Sequence, residues 1–195
     1  MFRFFPSFLF VFLAFFAFIP AAQTAASTPS QNPAFVHRIG GVIDTATLAD
    51  FLRQIQPAMA HGRLVLMLDS PGGNMAAANG IADFVDHLGR QGVVVTTHIG
   101  VGGRCHSACV TIYASGNRRT AAPSASLGVH ALRDADTGRL NSAANDRFIA
   151  YLAARGVDQN WLAGLSRQGS FDRLAITAFA ARDLLATGLV HDITG

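Results

Sequence analysis

The apolar run at residues 64–68 constrains the fold more than any other part of the sequence. Its sequence is Leu-Val-Leu-Met-Leu, the composition expected of a strand that is buried on both faces. The turn Ser-Pro-Gly-Gly follows at residues 70–73, and apolar side chains then recur at helical spacing between residues 78 and 88. Because such a strand needs helices on both sides of its sheet, the pattern predicts βα units on a mostly parallel sheet.

The same alternation of strand and helix patterns continues along the rest of the chain. Further strands are predicted at residues 93–95 and 127–130, and helices at residues 105–114, 145–154 and 178–186. Half of the residues are apolar and 14% are charged, so the chain can bury a substantial core. A length of 195 residues fits one domain with a short leader. We therefore expect a single α/β domain over residues 35–195.

The first 26 residues have the composition of an export signal. Arg3 supplies a short positive region, residues 8–19 are continuously apolar, and small residues follow. Cleavage after Ala26 is the favoured interpretation, whereas cleavage after Ala21 and retention as an uncleaved membrane anchor are the alternatives. Residues 27–34, rich in serine, proline and threonine, are predicted to be a disordered linker. The domain is therefore expected in the periplasm or outside the cell, either free or tethered to the membrane.

The charged residues narrow the chemistry that the domain can perform. All 15 basic residues are arginine and all 12 acidic residues are aspartate, so mechanisms that need a catalytic lysine or glutamate are excluded. The net charge is +3 and the arginines are scattered rather than clustered, so we expect no nucleic-acid partner. No sequence pattern indicates a cofactor, and none is expected.

A second glycine turn precedes the most reactive candidate side chain. Residues 102–109 have the sequence Gly-Gly-Arg-Cys-His-Ser-Ala-Cys. A serine in the first turn of a helix lies at the positive end of the helix dipole, where the N–H of Ala108 can stabilise an oxyanion formed on attack by Ser107. The alternative is that Ser107 only caps the helix. The turn at residues 70–73 also offers backbone N–H groups to an anion, although an ordinary βα turn has the same form.

His130 is the candidate general base. A serine hydroxyl is a weak nucleophile until a base takes its proton, and a neutral imidazole is the usual base near neutral pH. His130 lies at the end of a predicted strand. A lone histidine is more often structural, but its combination with Ser107 and two glycine turns indicates a serine hydrolase.

These features together resemble the proteolytic subunit of Clp protease, ClpP, within the crotonase-like superfamily. The matching motifs are Ser-Pro-Gly-Gly at residues 70–73, Ser-Gly at residues 115–116, Pro-Ser-Ala-Ser at residues 123–126, where the family has Pro-x-Ser, and Gly-Leu-Val-His-Asp at residues 188–192. The resemblance covers nearly all of residues 36–195. Around the nucleophile the family has Ala-Ser-Met-Gly where this chain has His-Ser-Ala-Cys. The connector after His130 is shorter than in the family, which puts the family's double-ring assembly in doubt.

The resemblance implies a ClpP/crotonase-like spiral of βα units and a set of site residues. The implied roles are nucleophile for Ser107, general base for His130, and oxyanion-hole amides for Gly73 and Ala108. Asp172 is the best match for the third member of the triad, and Asp158 is the alternative. Subunits of the superfamily commonly assemble, so the resemblance also implies a possible homo-oligomer.

Cys105 and Cys109 flank the predicted nucleophile. In an oxidising compartment such a pair predicts a disulfide, which here would stiffen the nucleophile turn. A separation of four along a regular helix is near the upper limit for a bridge, so a Cys105 outside the helix would relax the geometry. Two buried thiols are the alternative. A metal site with His106 is not expected, because three ligands within five residues cannot point at one ion without unwinding the helix.

The predicted function is peptide hydrolysis outside the cytoplasm, with short peptides or unfolded protein segments as substrates and no ATPase partner. Ester hydrolysis by the same residues is an alternative. Signal peptide peptidases of this fold use a serine–lysine pair and many acyl-CoA hydratases use glutamate, and this chain has neither lysine nor glutamate. From a different class, the alternative is a catalytically inactive ClpP-like module that binds peptides or assembles a complex.

Overall fold

The computed structural model of the protein describes residues 33–134 and 136–194. The expected export signal or anchor, and the predicted linker up to residue 32, lie outside the described residues. Within the described part of the chain, no helix combines the length and the apolar character that a membrane crossing requires.

Short strands and helices alternate along the described residues. The strands are β1 (Phe35–Ile43), β2 (Arg63–Gly73), β3 (Val94–Ile99), β4 (Arg104–His106), β5 (Arg118–Ala121), β6 (Ser126–Val129), β7 (Thr177–Ala180) and β8 (Asp192–Ile193). The helices are α1 (Thr45–Gln54), α2 (Pro57–His61), α3 (Met75–Arg90), α4 (Ala108–Ser115), α5 (Ser142–Ala154), α6 (Gln159–Arg167) and a 3₁₀ helix (Ala181–Thr187).

The strands form a mostly parallel sheet in which β2 is the branching point. The strand order is β7-β6-β4-β2-β3-β5-β8, and β1 also pairs with β2. The first residues of β2 pair with β3, whereas Ser70 near its end pairs with Cys105 of β4. Only the pairing of β6 with β7 is antiparallel among the described strands. The predicted fold class is confirmed.

The apolar run that predicts β2 is buried more completely on one face than on the other. Leu64, Leu66 and Leu68 are at most 1% exposed, while Val65 and Met67 are half-buried. The helix predicted after the turn is α3, and its apolar stripe is buried as expected. Its N-cap is Asn74, whose Oδ1 accepts the N–H of Ala77 at 2.9 Å.

Two predicted helices were wrong in part. Cys105 belongs to β4, which pairs with β2 and β6, so the helix predicted from this residue begins only at Ala108. Residues 178–186 were predicted as one helix, but Thr177–Ala180 forms β7 and only Ala181–Thr187 is helical. In both cases β6 supplies backbone partners, together with β2 for Cys105, and these tertiary hydrogen bonds outweigh local helix propensity.

A buried arginine ties the far end of the chain to the core. Arg119 is 4% exposed, and no carboxylate pairs with it among the described residues. Its guanidinium instead donates to the backbone carbonyls of Ala114, Gly116, Arg155, Gly188 and Leu189. Several of these carbonyls lie where α4, α5 and the 3₁₀ helix end, so the cation faces the negative ends of helix dipoles.

Candidate active site

Ser107 has the most strained backbone conformation at the site. Its φ is 55° and its ψ is −126°, and no other non-glycine residue in the described chain has a positive φ. Such a conformation costs about 1–3 kcal/mol and occurs most often at functional sites. The residue forms a sharp turn from β4 into α4, and a strand-to-helix turn of this kind presents the nucleophilic serine in α/β-hydrolases. Its N–H donates to the carbonyl of Gly128 in β6 at 2.8 Å, which fixes the turn against the neighbouring strand.

The Ser107 side chain does not cap the helix that follows it. No side-chain hydrogen bond from Ser107 to the first turn of α4 is present. The Oγ lies 2.7 Å from Nε2 of His130 instead. The two residues follow the carboxyl ends of β4 and β6, which are neighbouring parallel strands, and this end of a parallel sheet is where α/β proteins usually place their sites.

The Ser-Pro-Gly-Gly turn packs directly against the serine turn. Ser70 is fully buried, and its hydroxyl accepts the N–H of Gly72 at 3.0 Å and donates to the carbonyl of Gly41 at 2.6 Å. A Cβ at Gly72 would lie 2.6 Å from the carbonyl oxygen of His106 and 2.7 Å from the Cβ of Ser107. Since no side chain fits there, glycine is required for the two turns to meet.

Gly73 and Ala108, the two predicted oxyanion-hole residues, each follow a residue of the contact between the turns: Gly73 follows Gly72, and Ala108 follows Ser107. Gly73 has a φ of 148° and packs so tightly against Ile43 that a Cβ would lie 2.1 Å from its carbonyl oxygen. Ala108 is the first residue of α4, where helix N–H groups lack intrahelical partners. The N–H of Gly72 is bonded to the Ser70 hydroxyl and is not free to bind an anion.

The electrostatic environment keeps His130 neutral near neutral pH. Burial lowers the pKa of its imidazole below the usual 6.5, and the nearby Arg133 guanidinium lowers that pKa as well. The nearby backbone of Ala131 acts in the opposite direction and raises this pKa, although no hydrogen bond of normal geometry joins it to the ring. A neutral imidazole has a free lone pair on one ring nitrogen and can therefore accept the proton of Ser107.

An open cavity of about 630 Å³ contains both reactive side chains. Its walls include Gly73, Met75, Leu132 and Arg133, which surround Ser107 and His130. A second cavity of about 320 Å³ adjoins it, and the two share Met75, Leu132 and Ala144. A molecule whose carbonyl lies against Ser107 can therefore place a side chain in the adjoining cavity, which Phe148 and Tyr151 also line.

The predicted acid is not brought to the histidine. The Asp172 side chain is exposed and makes no hydrogen bond or ion pair within the described residues. Asp158 is the N-cap of α6, where its Oδ1 accepts the N–H of Trp161 at 2.7 Å. Neither carboxylate is therefore bonded to His130 in this structure: the backbone of residue 173 lies near His130 through its bond with Ala131, while the Asp172 side chain is exposed.

No family model matches the sequence, and a search of curated proteins finds no match either. Solved structures do match. A mutant of the membrane-bound stomatin-specific protease 1510-N has a TM-score of 0.64 at 20% identity, over 84% of this chain and 80% of that chain. A second mutant of that protease, in complex with a substrate peptide, has a TM-score of 0.64 at 21% identity, over 84% and 75% of the two chains. ClpP1 from Listeria monocytogenes has a TM-score of 0.63 at 18% identity, over 82% and 90%. The chain has a ClpP-like fold.

Within this ClpP-like fold, the imidazole lacks the usual second partner. Nδ1 of His130 is buried and has no hydrogen-bond partner among the described residues. The residues that follow it are instead held through their backbone. Ala131 donates its N–H to the carbonyl of Arg173 at 2.9 Å, and Leu132 donates its N–H to Oδ1 of Asn145 at 2.7 Å.

The predicted disulfide between Cys105 and Cys109 is present. Cys105 lies in β4 rather than in a helix, so the Cα atoms are only 5.1 Å apart. Both side chains are fully buried, and the bridge closes a ring of five residues around Ser107. Across the described residues, no cluster of three or more His, Cys or Asp side chains is arranged to hold a metal ion.

The contacts of two residues near this site were not predicted from the sequence, in which His106 was weighed only as a metal ligand. Nε2 of His106 lies 2.8 Å from Oγ of Ser126, and the ring packs where a side chain on Gly128 would lie. Asn145 is 6% exposed and bonds to two other segments. His106 stands beside the serine in the sequence and could have been found by its position, whereas Asn145 has no motif around it.

Proposed function

We propose that this protein is a serine peptidase that acts outside the cytoplasm, with Ser107 as nucleophile and His130 as general base. The observation that carries the proposal is the 2.7 Å distance between Oγ of Ser107 and Nε2 of His130 at a strained turn in an open cavity. A strained serine backbone without a capping role has a structural cost, and nucleophile presentation accounts for that cost.

The proposed reaction follows from the positions of these groups. Nε2 of His130 takes the hydroxyl proton as Ser107 attacks the carbonyl carbon of the substrate, and the amides of Gly73 and Ala108 stabilise the resulting oxyanion. The imidazolium then gives its proton to the leaving amine, and the C–N bond breaks to leave an ester on Ser107. A water molecule, deprotonated by the same imidazole, attacks the ester and restores the free serine.

The proposed substrates are short peptides and unfolded protein segments. The cavity is open and shares part of its wall with a second cavity lined by Phe148 and Tyr151, which suits an extended chain with an apolar side chain beside the scissile bond. The structural neighbours that have the same fold are named as proteases, one of them in complex with a substrate peptide. Esters are within the reach of the same chemistry, because both reactions pass through an acyl-enzyme.

The proposed compartment is the periplasm or the exterior of the cell. A buried disulfide beside the reactive serine suits an oxidising environment, where such bonds persist. The export-signal composition of residues 1–26 supports the same location. Without cytoplasmic ATP, no ATPase partner would feed substrates to the site, and self-association into a homo-oligomer is proposed from the resemblance to ClpP.

One observation favours a second candidate, a catalytically inactive module that binds peptides. Nδ1 of His130 has no acceptor among the described residues, so no carboxylate stabilises the imidazolium that catalysis requires. The module would use the same cavities to hold a peptide without cleaving it.

Labelling with a fluorophosphonate–rhodamine probe separates the two candidates. The probe forms a covalent bond only with an activated serine, so the peptidase is expected to incorporate one label per chain. Ser107→Ala and His130→Ala are expected to abolish labelling, and Ser166→Ala, which removes a hydroxyl bonded to the carbonyl of Leu162 in α6, should label normally. Folded wild-type protein without label, or a label retained in Ser107→Ala, contradicts the peptidase.

A further inference from the structure

The structure raises the question of what orients His130. In serine hydrolases a carboxylate bonded to Nδ1 usually sets the tautomer and the direction of the ring. Here Nδ1 is buried without a partner among the described residues, and the Asp172 carboxylate is exposed. Yet Nε2 lies at hydrogen-bond distance, 2.7 Å, from Ser107. The imidazole must therefore be held by the backbone that carries it.

That backbone is joined to a distant segment by two connections. The N–H of Ala131 donates to the carbonyl of Arg173 at 2.9 Å. The N–H of Leu132 donates to Oδ1 of Asn145 at 2.7 Å, and Nδ2 of Asn145 donates to the carbonyl of Phe171 at 2.9 Å. Residues 171–173, expected to supply a carboxylate, supply two backbone carbonyls instead.

The second connection requires an amide side chain. Leu132 offers a donor and Phe171 offers an acceptor, so the bridging group must accept at one end and donate at the other. A carboxylate accepts at both ends, and an apolar side chain does neither. Asn145 is 6% exposed on α5, where a buried polar group is costly unless both of its ends are satisfied, as they are here.

We infer that Asn145 is a positioning residue that holds the segment carrying His130 in register with Ser107, in place of a triad carboxylate. This inference rests on the proposed hydrolase function. Asn145 does not line the cavity that contains the two reactive side chains, so it acts through the backbone of Leu132 rather than on substrate. Leu132 borders both cavities, so the same bond also fixes part of the wall against which a substrate lies.

The test measures the rate and the extent of fluorophosphonate–rhodamine labelling in the full chain. Asn145→Ala removes both bonds and is expected to slow labelling about 10- to 100-fold, the effect of a displacement of roughly 1 Å at a reacting group. Labelling should still reach one probe per chain, because displaced rather than unfolded molecules react slowly but completely. A structural role alone would lower the final extent and leave the rate of the folded fraction unchanged.

Two further variants keep the test decisive. Asn145→Asp is nearly isosteric and keeps the acceptor for Leu132, but it places a carboxylate oxygen against the carbonyl of Phe171, so it is expected to slow labelling at least as much as Asn145→Ala; either variant carries the test if the other does not fold. Asn117→Ala is the matched control, since Oδ1 of Asn117 also accepts a backbone N–H, that of Val95, but away from the site. It should label within about twofold of the wild-type rate.

The outcomes separate this inference from the function on which it rests. Wild-type labelling rates in folded Asn145→Asp and Asn145→Ala would overturn the positioning role and leave the hydrolase intact. An equal slowing in Asn117→Ala would overturn it too, because the effect would then be unspecific. Wild-type protein that takes no label would instead overturn the hydrolase, and the role of Asn145 with it.

Discussion

The two halves of the candidate site are built in different ways. The serine half, residues 104–109 with the turn at residues 70–73, is fixed by a disulfide, by glycine-to-backbone packing and by strand pairing within the sheet. The histidine half, residues 130–132, follows the end of β6 and is held by hydrogen bonds to residues 171–173 and to α5. Both halves depend on residues that are distant in the sequence, but only the serine half adds a covalent ring and close backbone packing, whereas the histidine half is held by hydrogen bonds alone.

Because of this difference, substitutions are expected to act differently on the two halves of the site. Around Ser107 a covalent ring and the close approach of Gly72 leave little room for adjustment, so substitutions inside the motifs should have large effects. Around His130 the geometry is set by ordinary hydrogen bonds, each worth about 0.5–1.5 kcal/mol net. Substitutions outside every motif can therefore change the position of His130.

The largest expected effect comes from a methyl group at the contact between the two turns. Gly72→Ala places a Cβ 2.6 Å from the carbonyl oxygen of His106, so the serine turn must move. We expect fluorophosphonate labelling to slow at least about 100-fold. The control is Gly92→Ala, which also has a positive φ, 86°, but has no atom within 4 Å of the new Cβ. Equal labelling in the two variants would contradict the rigid serine half.

Removing the disulfide is expected to have the next largest effect. Replacing both Cys105 and Cys109 by alanine should lower the free energy of unfolding by about 2 kcal/mol, the chain-entropy value for so short a ring. Labelling should slow about tenfold, because the ring holds the turn of Ser107. Urea unfolding followed by the fluorescence of Trp161, the single tryptophan, measures the first effect. Thiol titration of unreduced, denatured wild-type protein should find none, and two titratable thiols would refute the bridge.

The pH dependence of labelling examines the histidine half directly. Only the neutral imidazole accepts the proton of Ser107, and burial lowers the pKa of His130 below 6.5. Labelling should therefore be constant at neutral pH and fall about tenfold per pH unit below a midpoint that lies under 6.5. Circular dichroism over the same range controls for unfolding. A midpoint above 6.5 would indicate a carboxylate beside the imidazole. It would contradict the description of a histidine half that is held only through its backbone.

The smallest expected effect is that of replacing Asp172, the residue that the resemblance to ClpP assigns to the triad. Asp172→Asn should change the labelling rate by less than about twofold, because the carboxylate is exposed and bonds to no described residue. A loss approaching the 10⁴-fold effect of removing a triad aspartate would show that Asp172 does reach His130 during the reaction. That result would also remove the need for Asn145 as a positioning residue.

Much of the serine half could be predicted from the sequence because its determinants are local. The Ser-Pro-Gly-Gly turn, Ser107 and the two cysteines all fall within short stretches whose spacing carries the geometry. The disulfide illustrates the limit of this reasoning. Its presence was predicted, but the position of Cys105 in a strand was not, because that strand forms through the pairing of Cys105 with Leu127 in β6, a long-range contact that no local pattern reveals.

The histidine half could be predicted only in outline. His130 follows an apolar run that is typical of a strand, so its place at a strand end was accessible. The direction of the Asp172 side chain was not, because spacing locates a backbone segment but does not say which of its groups faces inward. The bridging contacts of Asn145 could not be predicted for a related reason. They need both Leu132 and Phe171 to lie beside this side chain, and each is more than ten residues away in the sequence.

Because Arg119 is buried, folding is expected to require the late residues whose carbonyls bind its guanidinium. Two of its carbonyl acceptors, those of Gly188 and Leu189, are made late in synthesis, and until they arrive the guanidinium faces an apolar interior with too few acceptors. A ribosomal product that stops before these residues would have to hydrate that cation by opening the core around Tyr113 and Ala114. Truncated chains are thus expected to stay unfolded. The turn that carries Ser107 would then form only after synthesis has passed residue 189.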